Sequence, residues 1–549
     1  MNGPMLNAYP DSIGGSLSEC VNFLKDPRVK GIFTDFYILP SVFNSDLDRG
    51  FSVISYDLNE ALINPDSLCE LAELEIGLKL DFVLNHASVL CKQFRDILEK
   101  GEESEYKDFF VDWNRFWCGC GDMNDKGYIE PNPEYIKDMH FRKPGLPLLM
   151  VPMPDGSEKP YWNTFYRETL YPAFAAQDFM FAADVQYATA EKIAVKVNDA
   201  LNDGKQPDEI DFSPFNEYEH QLIQAIKKRR RFLGQMDLNI KSPLVWEFYE
   251  DTLKKLSGYG AKIVRLDAFA YASKEPGARN FMNDPGTWDL LKRVRGIADR
   301  YNLRLLPEIH TEYKEKVHEK LSKEGYMIYD FFLPGLLIHA IEKHSCEYIL
   351  HWINDILEKN LRTVNMLGCH DGIPLLDLRG LLPDSEIEDT IEMIVGRGGY
   401  VKDLLGSKNM YYQVNATYYS ALGEDDDKML LARALQLFMP GKPQVWYLDM
   451  FGGKNDHDAV NHSAGGHKEI NRTNLSMMQV ESALKQGLTT RQLELIRFRN
   501  TCPAFENDAV ITAGGEKHQL YLQWSSMGNT ARLDVDLKAC SYKISEERI

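Results

Sequence analysis

The chain has 549 residues, 44% of them hydrophobic, which is enough for a barrel of roughly 250 residues with further units attached. Its 82 acidic and 62 basic residues leave a formal net charge of −20, which argues against nucleic acid or an anionic membrane as the main partner. No apolar run approaches the roughly 20 residues that span a bilayer, and residues 1–16 have neither a basic start nor an apolar core, so a cytoplasmic location is expected. Nine cysteines scattered from Cys20 to Cys540 make no disulfide framework, and Cys118-Gly-Cys120 lacks the second ligand pair of a zinc site.

In chain order, short β-rich runs fall at residues 5–9, 31–39, 78–84, 263–267, 303–308, 327–331, 363–368 and 443–448. Helix-period segments such as 244–256 and 289–301 follow several of them. Apolar strands alternating with helices are the rhythm of a (β/α)8 barrel, α/β in class, with a parallel sheet covered on its outer face. Three of the runs end in an acidic residue: Asp267 closes Ile263-Val-Arg-Leu-Asp267, Glu308 closes Leu305-Leu-Pro-Glu308, and Asp371 follows Met366-Leu-Gly-Cys-His. A charge at the end of a buried strand is costly unless it is paired or used, and barrel enzymes work at the C-terminal strand ends. The three carboxylates are therefore the candidate catalytic residues.

The barrel is expected in three pieces, 1–85, 236–371 and 420–476. The gap after the third strand, 86–235, is far longer than an ordinary connection and is read as an inserted domain. Within it, residues 187–205 and 215–232 read as two polar amphipathic helices, part of an extra helical segment at about 166–234. The basic run Lys227-Lys-Arg-Arg-Arg231 is placed at the end of the second helix, where cations suit the helix dipole. Residues 372–419 form a second insertion, whose glycines Gly396, Gly398, Gly399 and Gly406 are read as a flexible lid rather than a phosphate-cradling loop. Residues 477–549 carry a helix over 490–499 and alternating runs such as Gln519-Leu-Tyr-Leu-Gln-Trp524, a small β domain.

Asp81-Phe-Val-Leu-Asn85-His86, Val264-Arg265-Leu-Asp267-Ala, Pro307-Glu308-Ile-His310 and Cys369-His370-Asp371 resemble, in this order, the four signature segments of the α-amylase superfamily of glycoside hydrolases. Within it, Tyr9-Pro-Asp-Ser-Ile-Gly14, Gly101-Glu-Glu-Ser-Glu-Tyr106, the segment from Gln413 to Leu422 and Glu469-Ile-Asn-Arg472 are similar to the sucrose phosphorylase branch. The likeness covers nearly the whole chain apart from about 166–234. It implies that Asp267 is the nucleophile, Glu308 the general acid/base and Asp371 the third carboxylate. Arg265 would keep Asp267 ionised, and the apolar neighbours of Glu308 would raise its pKa as an acid requires.

The resemblance also implies a glucosyl site of Asp48, Phe51, His86, Arg265, His370, Gln413, Arg472 and Phe165, and phosphate or acceptor contacts from Arg142, Lys143, His310, Lys408, Tyr411 and Tyr412. The branch often has arginine at Lys143, and plain sucrose phosphorylases have proline at Arg142 and aspartate at Met410. Relatives that cleave sucrose 6'-phosphate have an arginine matching Arg142, though they tend to have histidine where this chain has Tyr412. The exchange makes the acceptor side more basic, as a phosphorylated acceptor would favour. The activity so implied is retaining phosphorolysis of sucrose 6'-phosphate or sucrose. Alternatives are plain sucrose phosphorolysis, a glucosylglycerol or glucosylglycerate phosphorylase, and a hydrolase or transglucosidase of the same superfamily. No metal or organic cofactor is expected, the partners are a small sugar and inorganic phosphate, and a homodimer is compatible with the sequence.

Overall fold

A computed structural model describes residues 3–142, 145–165, 167–403, 411–462 and 466–548. The eight apolar runs form eight parallel strands: β1 (Met5–Ala8), β2 (Asp35–Ile38), β3 (Gly77–Val83), β4 (Ala261–Asp267), β5 (Arg304–Pro307), β6 (Ile328–Asp330), β7 (Thr363–Asn365) and β8 (Lys442–Trp446). Their order in the sheet is β5-β4-β3-β2-β1-β8-β7-β6, so chain neighbours are also neighbours in space. Met5 of β1 lies opposite both Asp35 of β2 and Gln444 of β8, which joins the two ends of the barrel sequence. Among the described residues the ladder opens only between β5 and β6, leaving a nearly closed (β/α)8 barrel.

Helices cover the strands where the periodicity places them. The helices Pro243–Gly258 and Gly286–Arg300 each bury one stripe, with Tyr249, Leu253 and Leu256 on the first and Leu290, Val294 and Ile297 on the second. The barrel interior also holds polar groups in fixed company: Lys79 Nζ donates to Gln444 Oε1 at 2.6 Å and lies 3.8 Å from the Tyr37 ring.

Between β3 and β4 the chain builds two small apolar clusters of its own. One gathers Trp113, Trp117 and Trp162 under the hairpin of Leu148–Pro152 and Glu158–Trp162. The other holds Phe179, Ile193, Val197, Leu222 and Ile226 from three helices, Ala176–Ala183, Tyr187–Asn202 and Glu219–Lys228. The first of these helices is not in the sequence reading, and the third stops short of the expected end at 232. Arg231–Asp237 is instead a strand, running antiparallel to His86–Ser88 and Arg167–Leu170. The basic run at the junction is held by ion pairs: Lys227 with Asp208 at 2.7 Å, Arg229 with Asp178 and Arg230 with Glu158.

After β7, residues 373–415 carry the helix Asp384–Gly396 and a three-stranded antiparallel sheet in which Tyr411–Asn415 is central. The glycines Gly396, Gly398 and Gly399 close that helix and turn into the strand Tyr400–Asp403, where a flexible lid was expected. Gly406, Lys408 and Met410 lie outside the described residues. At the C-terminus the helix Gly487–Thr501 leads into a four-stranded antiparallel meander, Val510–Glu516, Gln519–Ser526, Asn529–Asp536 and Ser541–Glu547. Leu520, Leu522 and Trp524 alternate onto its buried face, and Trp524 Nε1 donates to the Phe438 carbonyl at 2.7 Å, tying this β domain to the barrel.

Candidate active site

The C-terminal ends of β4, β5 and β7 meet at a cavity of about 300 Å³, into which Asp267, Glu308 and Asp371 all project. Their side chains are only 14–16% exposed. One guanidinium joins two of them. Arg265, two residues before Asp267 and so on the same strand face, has Nη1 2.9 Å from Asp267 Oδ1 and Nη2 3.5 Å from Glu308 Oε1. Nη1 also meets Asp81 of β3 at 2.6 Å, and Tyr37 OH of β2 donates to that carboxylate at 2.8 Å. Four neighbouring strands thus brace the nucleophile candidate, and Ala268 just after it takes a left-handed φ of +52° that turns the chain off the barrel.

The third carboxylate has a different set of partners. His370 Nε2 is 3.1 Å from Asp371 Oδ2, Lys468 Nζ is 2.5 Å from Oδ1, and Arg472 Nη2 is 3.7 Å from the same oxygen. Lys468 and Arg472 also reach Asp48, at 3.7 and 3.5 Å. Asp48 and Arg49 both sit at positive φ, +50° and +46°, ahead of Gly50 at +118°. A Cβ on Gly50 would lie 2.1 Å from the Ser41 nitrogen, so the tight turn that offers Asp48 to the cavity requires glycine there.

Aromatic groups line the rest. Phe51 stacks on His370 with centroids 4.9 Å apart and planes 11° from parallel, while its carbonyl lies 3.2 Å from His86 Nε2. Phe165 packs on His86 at 5.0 Å and on Tyr271 at 5.2 Å. Gln413 enters the wall from the strand Tyr411–Asn415, where it lies opposite Pro374. Arg142 also lines the cavity, with Nη1 donating to Tyr271 OH at 3.0 Å and the guanidinium carbon 5.1 Å from the Phe165 ring. The loop that carries it is clasped to the barrel: Asn280 accepts from the His140 N–H at 2.7 Å and donates to the His140 carbonyl at 3.0 Å.

The structure brings together Asp48, Phe51, His86, Phe165, Arg265, His370, Gln413, Arg472, Arg142 and His310 around the three carboxylates. Lys143 and Lys408 lie outside the described residues, and of Tyr411 and Tyr412 only the backbone is described. Missing from the sequence reading were Lys468, Tyr271, Asn280 and Asp377. Lys468 stands directly before the quoted Glu469–Arg472 segment, and Asp377 six residues after Asp371, so chain proximity was the one available signal.

The electrostatics differ from expectation at both working carboxylates: Arg265 was expected to keep Asp267 ionised and burial outweighs it, and Glu308 shifts the opposite way from the rise expected. Burial pushes the Asp267 carboxyl up to about 7 against the pull of Arg265, with Glu308 and Asp81 adding to the rise. Burial acts on Glu308 in the same sense, but the Arg265 guanidinium and the hydrogen bond to His310 outweigh it and hold that carboxyl at about 2. Glu308 was expected to be raised by Leu305, Leu306 and Pro307. Those residues are buried along the strand, while the carboxyl itself faces two cationic groups. His310 is the counterpart: burial disfavours its charge, yet Asp377 and Glu308 raise it to about 10. Asp371, also buried, is held well below the usual carboxylate range by His370, Lys468 and Arg472. The cavity therefore offers two kinds of carboxylate, one ready to take a proton and two held as anions.

The nearly closed parallel barrel, with three carboxylates at its strand ends and further sheets inserted after β3 and β7, defines an α-amylase-type barrel enzyme. An α-amylase structure from H. orenii shares the fold, with a TM-score of 0.60 at 15% identity over 98% of this chain and 89% of its own. Much nearer is the structure of a sucrose 6F-phosphate phosphorylase from Thermoanaerobacter thermosaccharolyticum, with a TM-score of 0.81 at 30% identity over 100% and 96% of the two chains. In sequence, the sucrose 6(F)-phosphate phosphorylase of Ilumatobacter coccineus is 48% identical over 100% of this chain and 96% of its own. The sucrose phosphorylase of Streptococcus mutans is 29% identical over 100% and 98%. No family model matches the chain. The chain belongs to the family of sucrose and sucrose 6(F)-phosphate phosphorylases, and it shares the α-amylase fold.

Proposed function

We propose that the protein cleaves sucrose 6'-phosphate with inorganic phosphate, giving α-D-glucose 1-phosphate and fructose 6-phosphate. The observation that carries this reading is the pairing of a carboxylate-lined cavity with a fixed arginine, Arg142, in its wall, in a chain 48% identical to a sucrose 6(F)-phosphate phosphorylase. Asp267 attacks the anomeric carbon and forms a glucosyl ester, while Glu308 passes a proton to the departing fructosyl oxygen. That proton is at hand, because His310 Nε2 lies 3.2 Å from Glu308 Oε1. Asp371 and Asp48, fixed by Lys468 and Arg472, hold sugar hydroxyls, and Phe51 and Phe165 cover the ring faces. Phosphate then displaces Asp267 from the same side that the fructosyl group left, so the α configuration is retained.

Arg142 supports the phosphorylated acceptor over free sucrose. Its guanidinium is oriented by Tyr271 and Phe165 before any ligand arrives, and a preformed fork is what a phosphate monoester binds best. We assign residues 86–235 and 372–419 to the cover of this cavity, since Arg142, Phe165 and Gln413 come from them. The test is an assay of glucose 1-phosphate from sucrose 6'-phosphate, sucrose, glucosylglycerol and glucosylglycerate, each with and without phosphate. Sucrose 6'-phosphate should give the highest kcat/KM, and product should vanish without phosphate. A preference for any other donor would overturn the acceptor assignment, and glucose formed equally with and without phosphate would overturn phosphorolysis.

A further inference from the structure

Asp377 lies on a short 3-10 turn, Leu376–Leu378, just past β7, and is only 3% exposed. Its Oδ2 is 3.2 Å from His310 Nδ1, and the other ring nitrogen of His310 is 3.2 Å from Glu308 Oε1. The imidazole is fixed edge-on between the two carboxyls because its face stacks on Phe331, 3.9 Å between centroids. Both contacts join a ring nitrogen to a carboxyl oxygen, and each needs one proton to be a hydrogen bond. Two protons shared by three groups give an imidazolium between two carboxylates, or a neutral imidazole with one carboxyl protonated. Glu308 and Asp377 touch the ring; Arg265 and Asp371 act on Glu308 in turn; Glu312, Glu315 and Arg279 line the same cavity.

We propose that Asp377 is a positioning residue that holds His310 as an imidazolium against Glu308, and that this chain decides whether phosphate or water takes the glucosyl group. The inference rests on the phosphorylase reading above. Two effects act in the same direction at the glucosyl-enzyme. A phosphate dianion entering beside the Glu308 carboxylate is repelled unless a cation shares that space, whereas water feels no such repulsion. Water also needs a base to remove its proton, while a phosphate dianion attacks through an oxygen that carries none. A Glu308 tied to an imidazolium is a weak base, so water is disfavoured and phosphate is not. The low proton affinity of Glu308 and the high one of His310 agree with this.

The proton count closes. In the first step the proton on His310 Nε2 moves to Glu308 and on to the fructosyl oxygen as the glycosidic bond breaks and the Asp267 ester forms. With the acceptor gone, the imidazole regains a proton from solvent and Asp377 keeps it charged. In the second step the phosphate oxygen bonds to the anomeric carbon, the ester bond breaks, and Asp267 leaves as a carboxylate. The phosphate keeps its own proton.

Asp377→Asn retains an acceptor for Nδ1–H but removes the charge. The readout is the ratio of glucose 1-phosphate to glucose formed from one donor at fixed phosphate, which does not depend on how much of the protein is folded. Divided by the parent value at each pH, it also cancels the titration of phosphate itself. The variant ratio should fall roughly tenfold or more at about pH 8 and recover towards the parent as the pH drops below about 6, where an unassisted imidazole is charged. In a His310→Gln background the same substitution should change nothing, because Asp377 acts through the ring. A variant ratio within about twofold of the parent at every pH, or an equal fall in the His310→Gln background, would overturn the proposal. A second measurement needs the parent alone: both ring nitrogens of His310, identified by nuclear magnetic resonance from the signals lost in His310→Gln, should stay protonated beyond about pH 8. A neutral ring there overturns the proposal as well. A parent that makes no glucose 1-phosphate from any donor would instead remove the phosphorylase reading, a result distinct from either of these.

Discussion

Replacing Arg142 by alanine should separate the two sugars that this family handles. The guanidinium is half-buried, held at 3.0 Å by Tyr271 OH and lying over Phe165, so it is oriented without ligand and loses little freedom on binding. A charge-assisted contact to a phosphate is worth about 1.5–3 kcal/mol, or roughly tenfold to a hundredfold in kcat/KM. Sucrose offers the arginine a neutral hydroxyl in place of an anionic group, so its kcat/KM should change by less than about threefold. Arg142→Lys should recover part of the loss, since a lysine keeps the charge but not the fork. Tyr271→Phe should weaken sucrose 6'-phosphate by a few fold only, because it releases the arginine without removing it. The assay is initial-rate kinetics of glucose 1-phosphate release from both sugars at saturating phosphate. An equal fall for the two sugars would show that Arg142 braces the inserted segment and does not select the acceptor.

Asp267→Asn should abolish turnover, because an amide cannot form the glucosyl ester, and folded protein should be recovered in normal amount. Its stability should also shift with pH. Burial raises the Asp267 pKa to about 7, so the parent gains from this group only while it is protonated and loses that gain as the pH climbs from about 4 to 7. The Asn variant lacks that loss, and its Tm relative to the parent should rise over the same interval; a constant difference would contradict the shift. Glu308→Gln should block cleavage of sugars with poor leaving groups, with azide restoring deglucosylation from an activated donor; the absence of rescue with any such donor would count against Glu308 as acid/base. Prolonged chelation should leave the rate unchanged, since the carboxylates supply both nucleophile and proton, and an activity lost to a chelator and restored by one metal ion would refute this.

Strand positions were legible because a parallel barrel strand is buried on both faces and writes itself as an apolar run, ended by a charge only where the chain reaches the working face. Asp267 and Glu308 fell out of that pattern directly, whereas Arg265 came from the family resemblance. What stayed hidden depends on contacts between distant segments. Asn280 fixes the backbone of His140 from 140 positions away, and Tyr271 orients Arg142 across a similar distance. The helix Ala176–Ala183 carries no capping side-chain hydroxyl and mixes Phe179 and Met180 with an exposed Phe181, so its periodicity is blurred. The strand Arg231–Asp237 opens on a basic run that reads as a helix end, and pairing with His86–Ser88 decides the matter. The depressed Glu308 is of the same kind: its strand neighbours are apolar, and His310, two residues on, is charged because Asp377 lies beside it.

Phosphorolysis of a phosphorylated disaccharide can be measured head on. Purified protein is given sucrose 6'-phosphate or sucrose at equal concentration with inorganic phosphate, and α-glucose 1-phosphate is quantified against free glucose. Sucrose 6'-phosphate should show the higher kcat/KM, with glucose 1-phosphate the main product and of α configuration. A parent enzyme that prefers unphosphorylated sucrose, or releases chiefly glucose from either sugar, would contradict it.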